Sequence, residues 1–434
     1  MNMLCSTLLS PLTRKGLLLA MLSVWIGVIP APSLWAQTSS VSTDKTSSTG
    51  SPRSTGRPTA ANSSTSAGNR ISTGNRISTG NTEQWPVYRG NTQATGVASS
   101  ALPDQLTISW KFAESLGPVE ATPVILDGVV YVGDVDGNFV ALDLETGKLK
   151  WRQKFETGFI SSAAVNESLV FIGDYDGTLR ALRRSDGSLK WEFTTDGEID
   201  SGANFYKDMV LVTSQDGSLY ALEAERGALK WKYTTGDQLR CSPAIVENRT
   251  FLGGCDGKIH VVNLDDGTVI GEPYVLGNPT GSTPAIVGDV GFLSTYGGQI
   301  LAFHWKDLSR KWVFSDIKLV PEFEVSVAAT TELIVAVGKN RKVLGLDAQA
   351  GKLLWEMPLK KRADVAPVIS DQRVWIASTD ARLYALDLKS GKEIWKYEFG
   401  GPLHSAPAIV SGRMVLGTDN EGVVCFAGQP QQLK

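Results

Sequence analysis

A repeat of about 40 residues constrains the fold of this chain more than any other feature of its sequence. Residues 136–151, DGNFVALDLETGKLKW, recur as residues 176–191 and 216–231, and more loosely as residues 380–395. Self-similarity at a fixed period is typical of architectures in which each unit buries its apolar face against its neighbours. The 434 residues could hold two or three ordinary domains, but the period predicts one repeat architecture.

Within one repeat, the hydrophobic pattern predicts four short β-strands separated by turns that contain glycine. In the first complete unit, the strands are predicted over residues 122–126, 129–133, 139–142 and 148–155. Glycine supplies the positive φ of tight hairpin turns at little steric cost. Four antiparallel strands in each unit, repeated radially, form the blade of a β-propeller.

Counting the repeats predicts an all-β, eight-bladed propeller over residues 85–428, followed by a short tail at 429–434. Seven units are complete, whereas the last unit, residues 404–426, contains three strands. Residues 106–112, LTISWKF, have the pattern of the missing outer strand. Pairing this N-terminal strand with the last unit would close the ring and remove two exposed strand edges.

A tryptophan closes most of the units at the same position in the outer strand. Each of these residues is most simply a packing residue between blades, worth about 2–3 kcal/mol of burial. The spacing has one double gap, in which Gly271 stands at the missing place. The structural tryptophans are Trp110, Trp151, Trp191, Trp231, Trp312, Trp355 and Trp395.

The first 36 residues have the pattern of an export signal. Arg14 and Lys15 precede an apolar run over residues 16–29, and Ala36-Gln37 is a plausible cleavage point. The run is shorter than the roughly 20 residues that span a bilayer, so we expect a cleaved signal peptide rather than an anchor. The mature protein is then periplasmic or otherwise in the cell envelope, without a transmembrane segment.

Composition separates residues 37–84 from the propeller and excludes some classes of partner. Residues 37–84 are dominated by Ser, Thr, Gly and Asn, which bury too little apolar surface to offset the entropy of ordering, so they predict a disordered tether. The formal charge of -3 contains no concentrated basic excess, which argues against nucleic acid as a partner. Three histidines and four cysteines without CxxC or HExxH spacing predict no metal module.

Two cysteines form a candidate disulfide. Cys241 and Cys255 are predicted on the first two strands of one blade, on either side of a turn centred near Asn248. In an oxidising compartment they could form a cross-strand bond, and two buried free thiols are the alternative. Cys425 has no evident partner in the sequence.

One position in each unit, three residues before the small or proline residue that starts the inner strand, is expected to surround a mouth of the central channel. These residues are Glu120, Ile160, Asp200, Arg240, Gly281, Glu324, Asp364 and His404. The charged or titratable members, which are candidate ligands for a cation or a polar molecule, are Glu120, Asp200, Arg240, Glu324, Asp364 and His404. The alternative, which the sequence favours, is a solvent-filled funnel. Its residues are then charged only because they are exposed to water, and they bind no ligand.

The repeat, with its Ala-Leu-Asp strand, Thr-Gly-Lys turn and closing tryptophan, resembles the PQQ-type propeller repeat. Residues 85–91, WPVYRGN, followed by Leu102-Pro103 and Trp110, also resemble the usual start of such propellers. The resemblance covers residues 85 to about 427. It is specific for the fold and weak for function, because the superfamily joins enzymes to non-catalytic scaffolds.

Two groups in that superfamily imply different functions. Quinoprotein alcohol dehydrogenases hold PQQ and calcium over the propeller axis, beneath a disulfide of adjacent cysteines. This sequence has no adjacent cysteines, and its blades lack the long insertions that build the dehydrogenase cap. BamB-like outer-membrane assembly lipoproteins are compact eight-bladed propellers without a cofactor. The present sequence departs from them because Cys5 precedes the apolar run and a polar tether follows it.

The resemblance therefore favours a non-catalytic binding or assembly scaffold of the cell envelope. No cofactor is expected, the partners are envelope proteins, and the chain is monomeric or part of a complex. The alternative is a small PQQ-dependent oxidoreductase, with PQQ and calcium over the charged mouth. A ligand sensor that uses the same mouth cannot be separated from the scaffold by sequence.

Overall fold

The structure is a computed structural model that describes residues 84–315 and 322–428. The predicted signal peptide, residues 37–83 of the predicted tether and the predicted tail at 429–434 lie outside the described residues. Every regular element of the described part is a β-strand, as the repeat predicts. No helix of these residues is long and apolar enough to cross a membrane.

The strands of the described residues form eight sheets, one for each blade; in blade 7 a fifth, two-residue strand, Val97–Ala98, pairs parallel with the innermost strand Val368–Ser370. From the axis outwards, the strands of blades 1 to 4 are Val124–Leu126, Val129–Gly133, Asn138–Asp143 and Leu149–Lys154; Ala164–Val165, Leu169–Gly173, Thr178–Arg183 and Leu189–Thr194; Asn204–Tyr206, Met209–Ser214, Ser218–Glu223 and Leu229–Thr234; and Ala244–Val246, Arg249–Gly253, Lys258–Asn263 and Tyr274–Val275. Those of blades 5 to 7 are Ala285–Val287, Val290–Ser294, Gln299–His304 and Arg310–Ser315; Ala328–Ala329, Leu333–Gly338, Lys342–Asp347 and Leu353–Pro358; and Val368–Ser370, Arg373–Ser378, Arg382–Asp387 and Glu393–Glu398.

Blade 8 is completed by a strand from the N-terminal side of the propeller. Its inner strands are Ala408–Val410, Arg413–Thr418 and Gly422–Gly428, and its outer strand is Leu106–Phe112. The outer strand pairs antiparallel with Gly422–Gly428, with Leu106 opposite Gly428 and Phe112 opposite Val423. The inner strands of blades 1 and 8 are also in contact. The predicted eight-bladed ring and its closure are therefore confirmed.

Tryptophans of the outer strands pack against the following blade. The Trp110 indole lies on Gly147 in the turn of blade 1, where a Cβ would overlap the ring, and Nε1 donates to the Leu144 carbonyl at 2.9 Å. The φ of Gly147 is +68°, so both the backbone conformation and the space require glycine. The same two contacts join Trp151 to Gly187 and Arg184, Trp191 to Gly227 and Ala224, Trp312 to Gly351 and Ala348, and Trp355 to Gly391 and Leu388.

Two tryptophans depart from this pattern. Trp231 lies on Gly267, but its Nε1 is buried without a hydrogen-bond partner among the described residues. Trp395 packs edge-on against Phe426 of blade 8, with ring centroids 5.8 Å apart. The packing position is therefore shared by the outer strands, while the polar contact of the indole varies with the neighbouring blade.

Blade 4 has no tryptophan in its outer strand, and a tryptophan of blade 5 takes its place at the interface between the two blades. Its outer strand is only Tyr274–Val275, and Gly271 stands where a tryptophan would lie. Trp305 of blade 5 is buried instead and meets Phe251 of blade 4 edge-on at 6.4 Å. The equivalent residue of blade 2, Phe171, contacts the tryptophan of its own blade, Trp191, at 5.7 Å. An aromatic ring is thus kept at this interface, although the next blade supplies it.

Residues 85–100, which we call the axial segment, run through the centre of the ring. Their backbone or Ser100 hydroxyl bonds to the innermost part of every blade in turn. The partners are Ile125, Val165, Asn204, Ile245, Ile286, Ala329, Ile369 and Gly412 of blades 1 to 8, at 2.8 to 3.0 Å. Trp85 and Val87 are each 1% exposed, so the segment is part of the core.

Arg89 fastens the axial segment to two blades. Its side chain is 2% exposed, and Nη1 and Nη2 donate to the carbonyls of Pro367 and Val327, both at 2.7 Å. Gly96 has a positive φ, and a Cβ there would overlap the guanidinium. No ion pair joins Arg89 to a carboxylate of the described residues, and burial lowers its pKa to about 10. The group therefore stays charged at neutral pH and is stabilised by carbonyl dipoles.

Candidate functional site at the channel mouth

All eight residues that the repeat places at the mouth line one cavity of about 220 Å³. They precede the inner strands, one in each blade, and are Glu120, Ile160, Asp200, Arg240, Gly281, Glu324, Asp364 and His404. Tyr88 of the axial segment also lines the cavity. The inner strand of blade 1 meets the axial segment at Ile125, deeper along the channel than Glu120. The axial segment therefore provides the floor of the cavity.

A second circle of residues, fifteen positions later in each unit, supports the first. These residues lie in the turn after the second strand and are Val135, Tyr175, Gln215, Cys255, Tyr296, Lys339, Thr379 and Asp419. His404 Nδ1 lies 3.0 Å from Asp419, and Gln215 Nε2 donates to Asp200 at 3.0 Å. Sequence reasoning missed this circle. The signal was present, because these positions repeat with the period of the blades, and four of them directly precede an Asp-Gly pair.

Two mouth carboxylates and one carboxylate of the second circle have bases as partners. Lys339 forms an ion pair with Glu324, and Arg362 Nε lies 2.9 Å from Asp364. Asp419 contacts His404, and this hydrogen bond raises the pKa of the imidazole despite partial burial. The charges of Glu120 and Asp364 raise it further. This part of the mouth is electrostatically compensated.

Asp200 is poorly compensated. Its side chain is 15% exposed, and the nearest base is Arg240, whose Nη1 lies 3.8 Å from Oδ2. Its Oδ1 is buried without a hydrogen-bond partner among the described residues. Burial raises the pKa of Asp200 to about 7, and the charge of Arg240 offsets only part of that effect.

Among the described residues, no base is in contact with Glu120. Burial raises its pKa, and the charge of His404 counteracts this only by acting at a distance. Tyr175 belongs to blade 2, between the blades that carry Glu120 and Asp200. Its pKa is raised by burial and then by the charges of Glu120, Glu198 and Asp200. Of these groups, Glu120 and Asp200 line the cavity and form its acidic side.

On the opposite side of Asp200, Arg240 is held by two amides. Its Nη2 donates to Gln215 at 2.9 Å and to Gln238 at 3.3 Å. The hydroxyl of Tyr296 lies against Gly281, where a Cβ would overlap it. Burial raises the pKa of Tyr296 to about 12, although Arg240 favours the ionised form. Glycine at this mouth position therefore makes room for the tyrosine of the second circle.

Below the charged residues, hydroxyls join neighbouring blades. Ser242 Oγ accepts from the Gly202 amide at 2.9 Å, Thr283 Oγ1 from the Ser242 amide at 2.8 Å, and Ser326 Oγ from the Thr283 amide at 2.9 Å. All four residues line the cavity. Blades 3 to 6 are thus linked at the depth where the cavity narrows toward Tyr88.

The candidate disulfide between Cys241 and Cys255 is not formed. Cys241 is a buried free thiol, and burial raises its pKa to about 12. The ladder of blade 4 pairs Ala244 with Phe251, but beyond it the Cys255 amide donates to Gln238 at 3.0 Å. Cys255 is therefore opposite a residue three positions before Cys241. In the described ranges, no three His, Cys, Asp or Glu side chains are grouped to hold a metal ion.

Comparison with protein-family models gives a match over most of the propeller. The model is described as outer membrane protein assembly factor BamB, and it matches residues 92–204, 158–283, 273–364 and 339–429. The chain belongs to this family. Membership in the BamB-like family of PQQ-type repeats confirms the resemblance of the sequence, and the repeat that defines it is the blade described above.

Curated relatives of this family member include both scaffolds and enzymes. Outer membrane protein assembly factor BamB of Yersinia pestis is 24% identical over 180 residues, which are 38% of this chain and 45% of that protein. The 1-butanol dehydrogenase (quinone) of Thauera butanivorans is 30% identical over 131 residues, 25% of this chain and 21% of the enzyme. The chain thus matches less than half the length of either relative.

Solved structures of both kinds share the fold of the family. BamB from Moraxella catarrhalis has a TM-score of 0.63 at 18% identity, and the match covers 76% of this chain and 100% of that chain. The quinohemoprotein alcohol dehydrogenase from Comamonas testosteroni has a TM-score of 0.65 at 15% identity, covering 81% and 82%. At these identities the likeness establishes the propeller fold and leaves function to the site.

Proposed function

We propose that this protein is a non-catalytic binding or assembly scaffold of the cell envelope, similar in role to BamB. The observation that carries this proposal is the excess of negative charge at the channel mouth. Of the described residues that line the cavity, Glu120, Asp200, Glu324 and Asp364 are carboxylates, whereas only Arg240 and His404 are bases. The site of the propeller at which a quinoprotein would hold its cofactor is therefore acidic.

An acidic mouth does not fit PQQ, which is a flat quinone with three carboxylates. Like charges in a partly desolvated site repel, and each uncompensated carboxylate costs free energy. The cavity of about 220 Å³ is also below the roughly 300–1,000 Å³ typical of cofactor and drug-sized pockets. Charge and size both argue against the quinone, so we derive no redox step at this site.

The organisation of the chain also supports a scaffold. Strands within the described blades follow one another through short turns, and the axial segment ties all eight blades into one rigid disc. A rigid ring presents its loops in fixed positions, which suits the docking of partners. Together with the match to the BamB model and the export signal that the sequence predicts, this favours envelope proteins as partners.

The quinoprotein alternative rests on the match to the butanol dehydrogenase, and one experiment separates the two functions. The full chain is titrated with PQQ in the presence of Ca²⁺, and absorbance and dye-linked alcohol oxidation are followed. A quinoprotein dehydrogenase reconstituted in parallel is the positive control. We expect neither a bound quinone spectrum nor dye reduction. Alcohol-dependent dye reduction that requires PQQ would overturn the scaffold proposal.

A positive test of the scaffold uses photo-crosslinking residues in the source cells. One is placed at the exposed Asp196, in the connection that leads to the mouth, and the other at the exposed Glu167, at the opposite end of blade 2. Because partners dock on defined surfaces, we expect discrete adducts with envelope proteins from one of these two faces. Absence of adducts from both faces and from further positions around the rim would contradict a scaffold role.

A further inference from the structure

The interface between blades 4 and 5 departs from the repeat on both of its sides. At intact interfaces, the tryptophan of one blade lies on a glycine in the turn of the next blade, as Trp151 lies on Gly187. Here the tryptophan position is Gly271, and the glycine position of the blade 5 turn is Leu308, which keeps a positive φ of +57°. Both residues line a cavity of about 420 Å³, which shares no residue with the lining of the channel mouth.

The inner wall of this interface cavity is apolar. The apolar side chains that line it and are buried or partly buried are Val261, Ile270, Tyr274, Trp305 and Leu308. Val275 also lines it and is 68% exposed, the largest fraction among the large hydrophobic residues of the described part of the chain. The volume lies within the roughly 300–1,000 Å³ of ligand pockets, which are mostly apolar and contain a few polar groups.

Arg249 is the charged residue that is partly buried in the lining. Its guanidinium lies over the Trp305 ring, 5.7 Å from the centroid, and Nη1 donates to the Lys306 carbonyl at 3.0 Å. Among the residues that the structure describes, no carboxylate forms an ion pair with Arg249, although Glu272 and Asp307 line the same cavity. The side chains of Glu272, Lys306 and Asp307 are exposed. The charge in the deeper part of the cavity is therefore positive.

The same strand position carries an arginine in blades 7 and 8, and there both terminal nitrogens have oxygen partners. Arg373 donates to two backbone carbonyls, and Arg413 donates to a hydroxyl and to the Glu145 carboxylate. Arg249 donates to one carbonyl through Nη1, and its Nη2 has no acceptor among the described residues. A molecule in the cavity that Arg249 lines can supply the second acceptor, and with it the missing negative charge.

We propose that the interface cavity binds a ligand that carries a carboxylate on an apolar chain. The carboxylate pairs with Arg249, and the chain lies against Trp305 and Ile270. A guanidinium presents its donors in a planar fork that matches a carboxylate, and it is weakly hydrated, so partial burial favours the pair. A fatty acid and the C-terminal residue of a peptide share this chemistry. The inference goes beyond the scaffold role and does not depend on it.

The test uses the full chain at pH 7.5 and measures binding by calorimetry. Octanoate and octylamine have the same chain and opposite charges, so we expect saturable binding of octanoate and at least tenfold weaker binding of octylamine. From butanoate through hexanoate to octanoate, the affinity should rise about fourfold for each added methylene, because the chain leaves water. Equal binding of octanoate and octylamine, absence of octanoate binding, or an affinity independent of chain length would overturn the proposal.

Three variants locate the site. Arg249→Met keeps the stem over Trp305 and removes the charge, so it should weaken octanoate binding about tenfold. Arg413→Met makes the same change at the equivalent position of blade 8 and should leave binding within twofold. Leu308→Asn places an amide in the apolar wall at a positive φ that asparagine tolerates, and should weaken octanoate binding threefold or more.

Thermal melting of each variant verifies that it is folded. Equal weakening by Arg249→Met and Arg413→Met would show that octanoate responds only to net charge, and the proposed site would then be wrong. Unchanged binding in Leu308→Asn would show that the chain does not lie in the cavity.

The source of the carboxylate is distinguished with a third ligand, an Nα-acetylated tripeptide that ends in leucine. Tighter binding of this peptide than of octanoate identifies the C-terminus of a partner protein, whereas tighter binding of octanoate identifies a fatty acid. The same peptide with a C-terminal amide lacks the charge and should bind at least tenfold more weakly than the acid. If the amide binds as tightly as the acid, Arg249 does not recognise a carboxylate and the proposal fails.

Discussion

At the scale of single residues, Arg89 shows how one buried charge can hold distant parts of a ring together. Its guanidinium joins the axial segment to the carbonyls of Val327 and Pro367, in blades 6 and 7. Removing it leaves two buried carbonyls without donors. We expect Arg89→Met to lower the free energy of unfolding by about 3–5 kcal/mol, measured by urea denaturation.

The matched control for this change is Arg226→Met, since the Arg226 side chain is 79% exposed. A surface substitution of this kind should change the free energy of unfolding by less than about 0.5 kcal/mol. If the two variants unfold at the same urea concentration, the contacts of the axial segment through Arg89 do not stabilise the propeller.

Asp200 predicts a dependence of stability on pH. Its pKa in the folded state is raised to about 7, above the ordinary value near 3.9, because the carboxylate is buried. The folded state therefore binds the proton more tightly, and the free energy of unfolding falls as pH rises from about 4 to 7. The charge of Glu198 adds to this raised affinity for the proton, while the charge of Arg240 and the hydrogen bond from Gln215 oppose it.

We expect Asp200→Asn to raise the melting temperature at pH 8 and to have little effect at pH 5, because the wild-type group is then already protonated. Glu167→Gln, at an exposed turn, provides the control for a general change of charge. Melting curves at both values of pH measure the difference. The same gain at pH 5 and pH 8 would mean that Asp200 is not the titrating group.

At the scale of elements, Leu106–Phe112 closes the ring by completing blade 8. Deleting this strand exposes the edge of Gly422–Gly428 and removes Trp110 from the interface with blade 1. We expect the deletion variant to melt earlier and to aggregate, measured by calorimetry and light scattering. Trp110→Ala in the intact chain should cost about 3–5 kcal/mol without aggregation. A deletion variant that melts like the parent would mean that the ring closes in another way.

The interface of blades 4 and 5 tests whether an aromatic residue is needed there whichever blade supplies it. We expect Trp305→Ala to lower the free energy of unfolding by about 3–5 kcal/mol, because it leaves a cavity beside Phe251. Trp191→Ala, which empties the equivalent position on Phe171, is the matched variant and should cost a similar amount. A much smaller effect at Trp305 would show that this interface collapses easily.

At the scale of the whole molecule, the predicted export signal would determine which part of the chain accompanies the propeller. If Ala36-Gln37 is the cleavage point, N-terminal sequencing of the protein from its host should begin at Gln37 or close to it. Fractionation of the cells should place it in the envelope fraction that is released without detergent. A mature chain that retains residues 17–29 in the membrane fraction would contradict the cleaved signal.

Much of the molecule could be predicted because a propeller turns sequence period into position around a ring. A residue type at one repeat position, such as Trp151 or Glu120, falls in the same place in its blade, and the eight positions of the mouth follow from that rule. The strands of the first blade agreed with the prediction to within two residues, since their turns are marked by glycine. This information is local to each unit.

The tertiary structure decided the contacts that departed from the period or joined remote parts of the chain. Arg89 bonds to a carbonyl 278 residues away, a contact that exists only after the ring closes. The partners of the mouth carboxylates, the replacement of the tryptophan at Gly271 by Trp305, and the pairing that separates Cys241 from Cys255 all depend on packing between strands. The sequence by itself determined the blades and their order, because these follow from short-range periodicity. The position of the axial segment in the channel and the pairing of the mouth carboxylates with bases depended on groups that only folding brings together.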